Sequence, residues 1–195
     1  HGKPFDTKGF VYWINKLAKD AGEDNTRKNL TYIIPDVFND KEKTMALTKE
    51  FLKDYSDLPG KAMSVCQGTS FEEMIEIFEF YLDQPSITKI GVSFMSESYT
   101  NSDETPSYPD VWEKRKVGRC YFIKELHKKG LLGKKPIHLL GAAVADEFIY
   151  YTTQNSELEP FIESLDTSAP IIQGMFSNEL YDPFKRVPAK RPEKL

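Results

Sequence analysis

The sequence predicts an α/β protein built from parallel strand–helix–strand units, for three reasons visible in the residues. Short apolar runs rich in β-branched and aromatic side chains alternate with longer stretches of helical periodicity. The helical stretches are long enough to carry the chain back to the starting edge of a sheet, as parallel pairing requires. Residues able to do chemistry recur where the apolar runs stop, and barrels of such units carry their catalytic groups on that rim. No G-x-G-x-x-G or G-x-x-x-x-G-K-[ST] stands at a strand–helix junction, which weighs against the usual nucleotide-binding open sheets. Pattern alone leaves a doubly wound sheet and a barrel both open.

Taken in order, Phe10, Trp13, Ile14, Leu17 and Ala18 recur at helical spacing, with Gly22 as a C-terminal stop. After a polar turn, Leu30-Thr-Tyr-Ile-Ile-Pro-Asp36 reads as a buried strand that ends in a carboxylate. Asn39 with Glu42 begins a helix in capping-box fashion, and Met45, Leu47, Thr48, Phe51 and Leu52 supply its inner face. Lys61–Cys66 is a second strand closed by Gln67-Gly68. Ser70-x-x-Glu73 then opens a helix with Met74, Ile77, Phe78 and Tyr81 on one face. Thr88–Phe94 is a third strand, and Gly91 within it marks a close approach of backbone or ligand. Residues 95–110 are polar and proline-bearing, with the length of a lid or binding loop. Trp112–Lys129 is a basic helix stopped by Gly130, Pro136–Gly141 a fourth strand, Asp146–Thr152 a short helix and Phe161–Asp166 a fifth strand. Pro170 opens a last helix-like stretch through Met175 and Phe176. A basic, proline-containing tail over 185–195 follows the domain formed by residues 1–184.

Composition narrows the class. The 195 residues suit one domain with a sizeable core, or most of a larger one, and the contents of 39% hydrophobic and 29% charged residues are ordinary for a globular protein. Apolar runs fall short of the roughly 18 residues that span a bilayer, and no charged-then-apolar leader opens the chain, so a soluble, cytoplasmic protein is expected. The chain opens on His1 rather than methionine, so a preceding stretch or tag is expected to be missing from it. Two cysteines, Cys66 and Cys120, imply no disulfide framework; three histidines without a C-x-x-C imply no zinc site. A net charge of −4 argues against holding nucleic acid by bulk electrostatics. Basic residues nevertheless crowd the helix around Arg115, Arg119, Lys124 and Lys128, and crowd the tail, where they would suit a phosphate-tracking surface.

The rim candidates are Asp36, Gln67, Gly91, Gly141 and Asp166. Two carboxylates, an amide and glycines that expose backbone N–H groups are equipped to read the edge of a guanine-like base, which sets N–H donors beside a carbonyl. A second carboxylate is then available as a nucleophile at a sugar carbon.

Four short motifs, spanning roughly residues 31–170, give the chain a family likeness. They are Pro35-Asp36-Val37 with Asp40 and Thr44; Val65-Cys66-Gln67-Gly68; Lys89-Ile90-Gly91-Val92; and His138-Leu139-Leu140-Gly141 followed by Asp166 and Pro170. In order and spacing they resemble the tRNA-guanine transglycosylases, and more closely their phage and bacterial relatives that place 7-deazaguanines in DNA. The resemblance implies a TIM (β/α)8-type barrel and a base-exchange activity without a cofactor. It implies Asp166 as the nucleophile, and Asp36, Gln67, Gly91, His138 and Gly141 as the residues around the base. Its implied partners are nucleic acid and a 7-deazaguanine base, and it admits a homodimer. The chain departs from the family in three respects. No cysteine follows Cys120, so the zinc-binding insertion is absent; Ile171-Ile172 stand where the tRNA enzymes carry a polar and basic pair, which favours DNA over tRNA; and the family's early strands are not visible before Leu30. Two other readings stand beside this one: a non-catalytic relative that binds nucleic acid or a partner, and an unrelated barrel hydrolase or lyase whose aspartates act as acid and base or hold Mg²⁺.

Overall fold

The computed structural model describes residues 5–101, 110–142 and 146–167. The expectations for 102–109, for Pro170 and the stretch after it, and for the tail lie outside the described residues. The architecture is α/β, with five strands in one parallel sheet of order β1-β2-β3-β4-β5: β1 Thr31–Ile33, β2 Lys61–Cys66, β3 Ile87–Ser93, β4 Ile137–Leu140 and β5 Ile162–Leu165. Spatial order follows chain order, without the reversal that gives doubly wound sheets their ligand crevice. The chain divides into two compact units, His1–Gly91 and Val92–Leu195.

In the first unit, α1 (Thr7–Ala21) begins where the Asp6 carboxylate accepts from the Gly9 N–H at 3.0 Å, and it ends at Gly22. Of its apolar positions Ile14 and Ala18 are buried, whereas Trp13 and Leu17, expected on the same inner face, are 58% and 46% exposed. They border an open groove of about 1000 Å³ shared with Phe10, Ile33, Phe51 and Tyr55, so the apolar stripe of α1 is wider than the surface it covers. The expected polar turn is a helix, α2 (Glu23–Asn29), held by the Arg27–Glu23 ion pair and by the Thr26 hydroxyl bonding the Gly22 carbonyl. Its apolar pattern was unreadable because Thr26 is its buried residue. Thr31, Tyr32 and Ile33 of β1 lie beside Lys61, Ala62 and Met63 of β2. Helices α3 (Lys41–Tyr55) and α4 (Phe71–Leu82) bury Phe51, Met74, Ile77, Phe78 and Tyr81. Each such side chain removed from water contributes about 1.5–3 kcal/mol. The Ser70 cap holds as expected, its hydroxyl accepting from the Glu73 N–H. The cap of α3 is Asp40 rather than Asn39, because Asn39 takes a positive φ of 54° and the Asp40 carboxylate accepts from the Lys43 N–H.

The second unit is organised by α6 (Val111–Lys128). Its sequence reads as a basic, solvated face, yet the helix buries Lys116, Val117, Gly118, Arg119, Cys120, Phe122, Ile123 and Leu126. Its charges are accommodated by pairing, Lys116 with Glu113 and Lys128 with Glu125. The start of the expected lid also packs inward: Ser96, Ser98 and Tyr99 are buried, and α5 (Ser98–Asn101) rests on α6. Gly118 permits this approach. Alanine ordinarily improves a helix interior by about 1 kcal/mol over glycine. Here an added Cβ would lie 2.5 Å from Tyr99 Cβ and 2.9 Å from Tyr99 Cα. Gly118→Ala is therefore expected to destabilise the protein by about 1–3 kcal/mol, read as a lower urea midpoint. Beyond β4, α7 (Asp146–Ile149) continues into a π turn over Tyr150–Gln154, and a 3₁₀ turn at Glu159–Phe161 leads into β5.

Candidate functional site

In the first unit the ends of β1 and β2 bring together Asp36 and Gln67, residues that sequence reasoning paired across 31 positions. Gln67 is buried, and its side-chain oxygen accepts from the Asn39 N–H at 3.0 Å. That bond fixes which end of the amide is which, so the NH₂ faces Asp36 and donates to Oδ2 at 2.5 Å. The loop presenting Asp36 is pinned by Thr44, whose hydroxyl receives the Val37 N–H and donates to the Val37 carbonyl, while Asp40 starts the helix beneath. Asp40 and Thr44 in the motif therefore shape the loop.

Asp36 as a residue is exposed, but its carboxyl has enough protein around it that desolvation raises its pKa, with the Gln67 hydrogen bond pulling the other way. A carboxyl whose pKa is higher folded than unfolded takes up a proton on folding between the two values. Stability then falls as pH climbs through that window. Asp36→Asn keeps an acceptor for Gln67 and removes the ionisation. The variant is expected to melt higher than the wild type at pH 7 and at the same temperature at a pH low enough to protonate Asp36 in both states; melting curves from acid to neutral pH check this.

In the second unit β4 and β5 run parallel with an irregular register: Ile137 faces Ile162 and His138 faces Ser164, so Glu163 is an extra residue on β5. Such bulges re-aim the side chains that follow. Here the bulge sets His138 between Ser164 and Asp166, Nδ1 lying 2.9 Å from Ser164 Oγ and Nε2 lying 3.1 Å from Asp166 Oδ1. Gly141, turning with φ 65°, donates its N–H to the same Oδ1 at 3.0 Å. The main chain of Asp166 is fixed on both sides, its N–H donating to the Leu139 carbonyl at 3.1 Å and its carbonyl accepting from the Ala142 N–H at 2.8 Å. Among the described residues Oδ2 receives no hydrogen bond, and the side chain is 56% exposed. The expected trio His138, Gly141 and Asp166 is thus brought together. Ser164 was missed; its signal was the alternation Ser164-Leu165-Asp166, which puts hydroxyl and carboxylate on one face of the strand.

Gly91, a rim candidate inside the strand expected over 88–94, lies buried inside β3, two residues before its end at Ser93. Arg119, expected to track phosphate, is fully buried: it pairs with Glu147 through two hydrogen bonds, and its Nη1 donates to the carbonyls of Val92 at 3.1 Å and Leu140 at 2.7 Å. A helix rich in lysine conceals such a residue because Glu147 lies 28 positions away. Of the other basic candidates, Arg115 reaches the Met95 sulfur, Lys124 lies over the Tyr121 ring and Lys128 pairs with Glu125. Both cysteines are free and buried, and burial pushes the Cys120 thiol up to about 12, so neither is an activated nucleophile. Among the described residues no group of three His, Cys, Asp or Glu side chains is arranged to hold a metal ion, and no helix is long and apolar enough to cross a membrane. No family model, characterised protein or solved structure matches the chain.

Proposed function

We propose that the protein is a base-exchange transglycosylase that replaces guanine in nucleic acid, DNA rather than tRNA, with a 7-deazaguanine, on a partial barrel of the TIM (β/α)8 type that is incomplete at its N-terminal side. Support for the barrel comes from strand order that follows chain order. The observation that carries the activity is Asp166. It is an exposed carboxylate just past a strand end, with one oxygen held by two donors and the other without a hydrogen bond among the described residues.

In this reading Asp166 Oδ2 attacks C1′ of a nucleotide flipped from the duplex. The C1′–O bond forms as the C1′–N9 bond breaks, and guanine departs as its N9 takes a proton from water. The 7-deazaguanine then attacks C1′ from the opposite face, gives its own N9 proton to the hydroxide left by the first step and releases the carboxylate, so the exchange leaves protons and charge balanced. Splitting the reaction into two displacements is the gain of covalent catalysis. Asp36 accepts from the two N–H groups on the guanine edge, and the second amide N–H of Gln67 donates to the base carbonyl beside them. One geometry for the outgoing and incoming base lowers both barriers by orientation.

The test is nucleoside mass spectrometry of duplex DNA incubated with the protein and a 7-deazaguanine. The expected result is a deazaguanine deoxynucleoside in the digest and an equal amount of free guanine. DNA that is bound but unchanged overturns the activity and leaves the non-catalytic reading in its place.

A further inference from the structure

We propose that Ser164 and His138 form a positioning pair for Asp166, fixing Oδ1 so that Oδ2 is the oxygen presented to the sugar. This assigns His138 to the nucleophile rather than to the base, and it rests on the transglycosylase reading of Asp166. The direction of each hydrogen bond follows from chemistry. An ionised carboxylate only accepts, so the contact between His138 Nε2 and Asp166 Oδ1 requires the proton on Nε2. In the neutral ring Nδ1 is then an acceptor, and the Ser164 hydroxyl 2.9 Å away donates to it. Ser164 thereby selects the tautomer and orients the ring. The Gly141 N–H supplies a second donor to Oδ1 at 3.0 Å from another direction, so rotation of the carboxylate would break two hydrogen bonds.

Ser164 and His138 are both half-buried, whereas Asp166 is exposed beyond the end of β5. The group that meets substrate is therefore the carboxylate. A serine nucleophile driven by this histidine fits poorly, because the hydroxyl is bonded to the ring and belongs to a less exposed residue than the carboxylate. The bulge at Glu163 is what makes the arrangement possible, since it brings Ser164 opposite His138. A displacement on the order of 1 Å at a reacting group can cost about 100-fold in rate, so a pair that does nothing but hold the carboxylate has a measurable effect.

The experiment compares wild type, His138→Ala, His138→Gln, Ser164→Ala, Ser164→Thr and Asp166→Asn. It follows single-turnover formation of the covalent DNA adduct and, separately, the affinity for free 7-deazaguanine. His138→Ala and Ser164→Ala are expected to slow adduct formation by about 10- to 100-fold with base affinity unchanged. His138→Gln, which offers an amide N–H where Nε2–H stood, and Ser164→Thr, which keeps the hydroxyl, are expected to recover most of the rate. Nitrogen-15 spectra of the imidazoles, assigned by the signal lost in His138→Gln, are expected to show His138 protonated on Nε2 and bare on Nδ1.

Loss of base affinity in His138→Ala, no recovery in His138→Gln, or the Nδ1–H tautomer overturns the positioning role. A normal adduct rate in the His138 and Ser164 variants, with none in Asp166→Asn, overturns this inference and leaves the nucleophile assignment intact. A wild-type protein that forms no adduct removes both.

Discussion

Arg119→Met is expected to cost about 3–5 kcal/mol of folding stability, a large share of what a domain of this size possesses. The wild-type guanidinium is fully buried; Glu147 meets it with both carboxylate oxygens, Nη1 serves the Val92 and Leu140 carbonyls, and the Phe94 ring lies 5.2 Å beneath it. Methionine fills similar volume but leaves a buried carboxylate without a counter-charge and two carbonyls without a donor. Replacing both partners, as in Arg119→Met with Glu147→Leu, removes the orphaned charge. The double variant is expected to recover most of the loss but not the part owed to the carbonyls. Urea midpoints of the wild type and the single and double variants measure this. A single variant within about 1 kcal/mol of wild type would contradict the assignment of Arg119 as the tie between the ends of β3 and β4.

Asp166→Asn is expected to lower the rate of base exchange on the order of 10⁴- to 10⁶-fold, the range seen when a covalent nucleophile is removed elsewhere. Stability should scarcely change. The side chain is exposed, and asparagine still offers an oxygen to the Gly141 N–H and the His138 ring. Its main chain is anchored by the Leu139 and Ala142 bonds, which do not depend on the side chain. Affinity for the free base should also hold, because the proposed reading gives that role to Asp36 and Gln67. Exchange kinetics, thermal melting and base titration together separate loss of the nucleophile from loss of the fold.

Much of this was legible in the residues because it is local. The five strand runs are contiguous, and Ser70 and Glu73 lie within one turn of each other. Gly141 advertises a turn wherever it occurs, and the structure gives it a positive φ. What stayed hidden depends on residues distant in sequence or on departures from regular pairing. The burial of α6 needs Glu147 to neutralise Arg119, and no periodicity within α6 reveals it. The meeting of Ser164 with His138 depends on one extra residue in β5, which a strict alternation of faces does not foresee. Gly91 was legible as a residue inside a strand, since the apolar run continues past it and β3 ends at Ser93. Trp13 and Leu17 show the converse, an apolar pattern that is correct as a helix yet does not say how much of its face is covered.

The central proposal is that Asp166 is the nucleophile that bonds to the sugar. Its most direct test is a peptide map by mass spectrometry of protein denatured after mixing with guanine-containing duplex DNA, performed on the wild type and on Asp166→Asn. The proposal predicts a DNA-bearing peptide that contains Asp166 in the wild type and none in Asp166→Asn. An adduct on a different residue, or one that forms equally well without the Asp166 carboxylate, would contradict it.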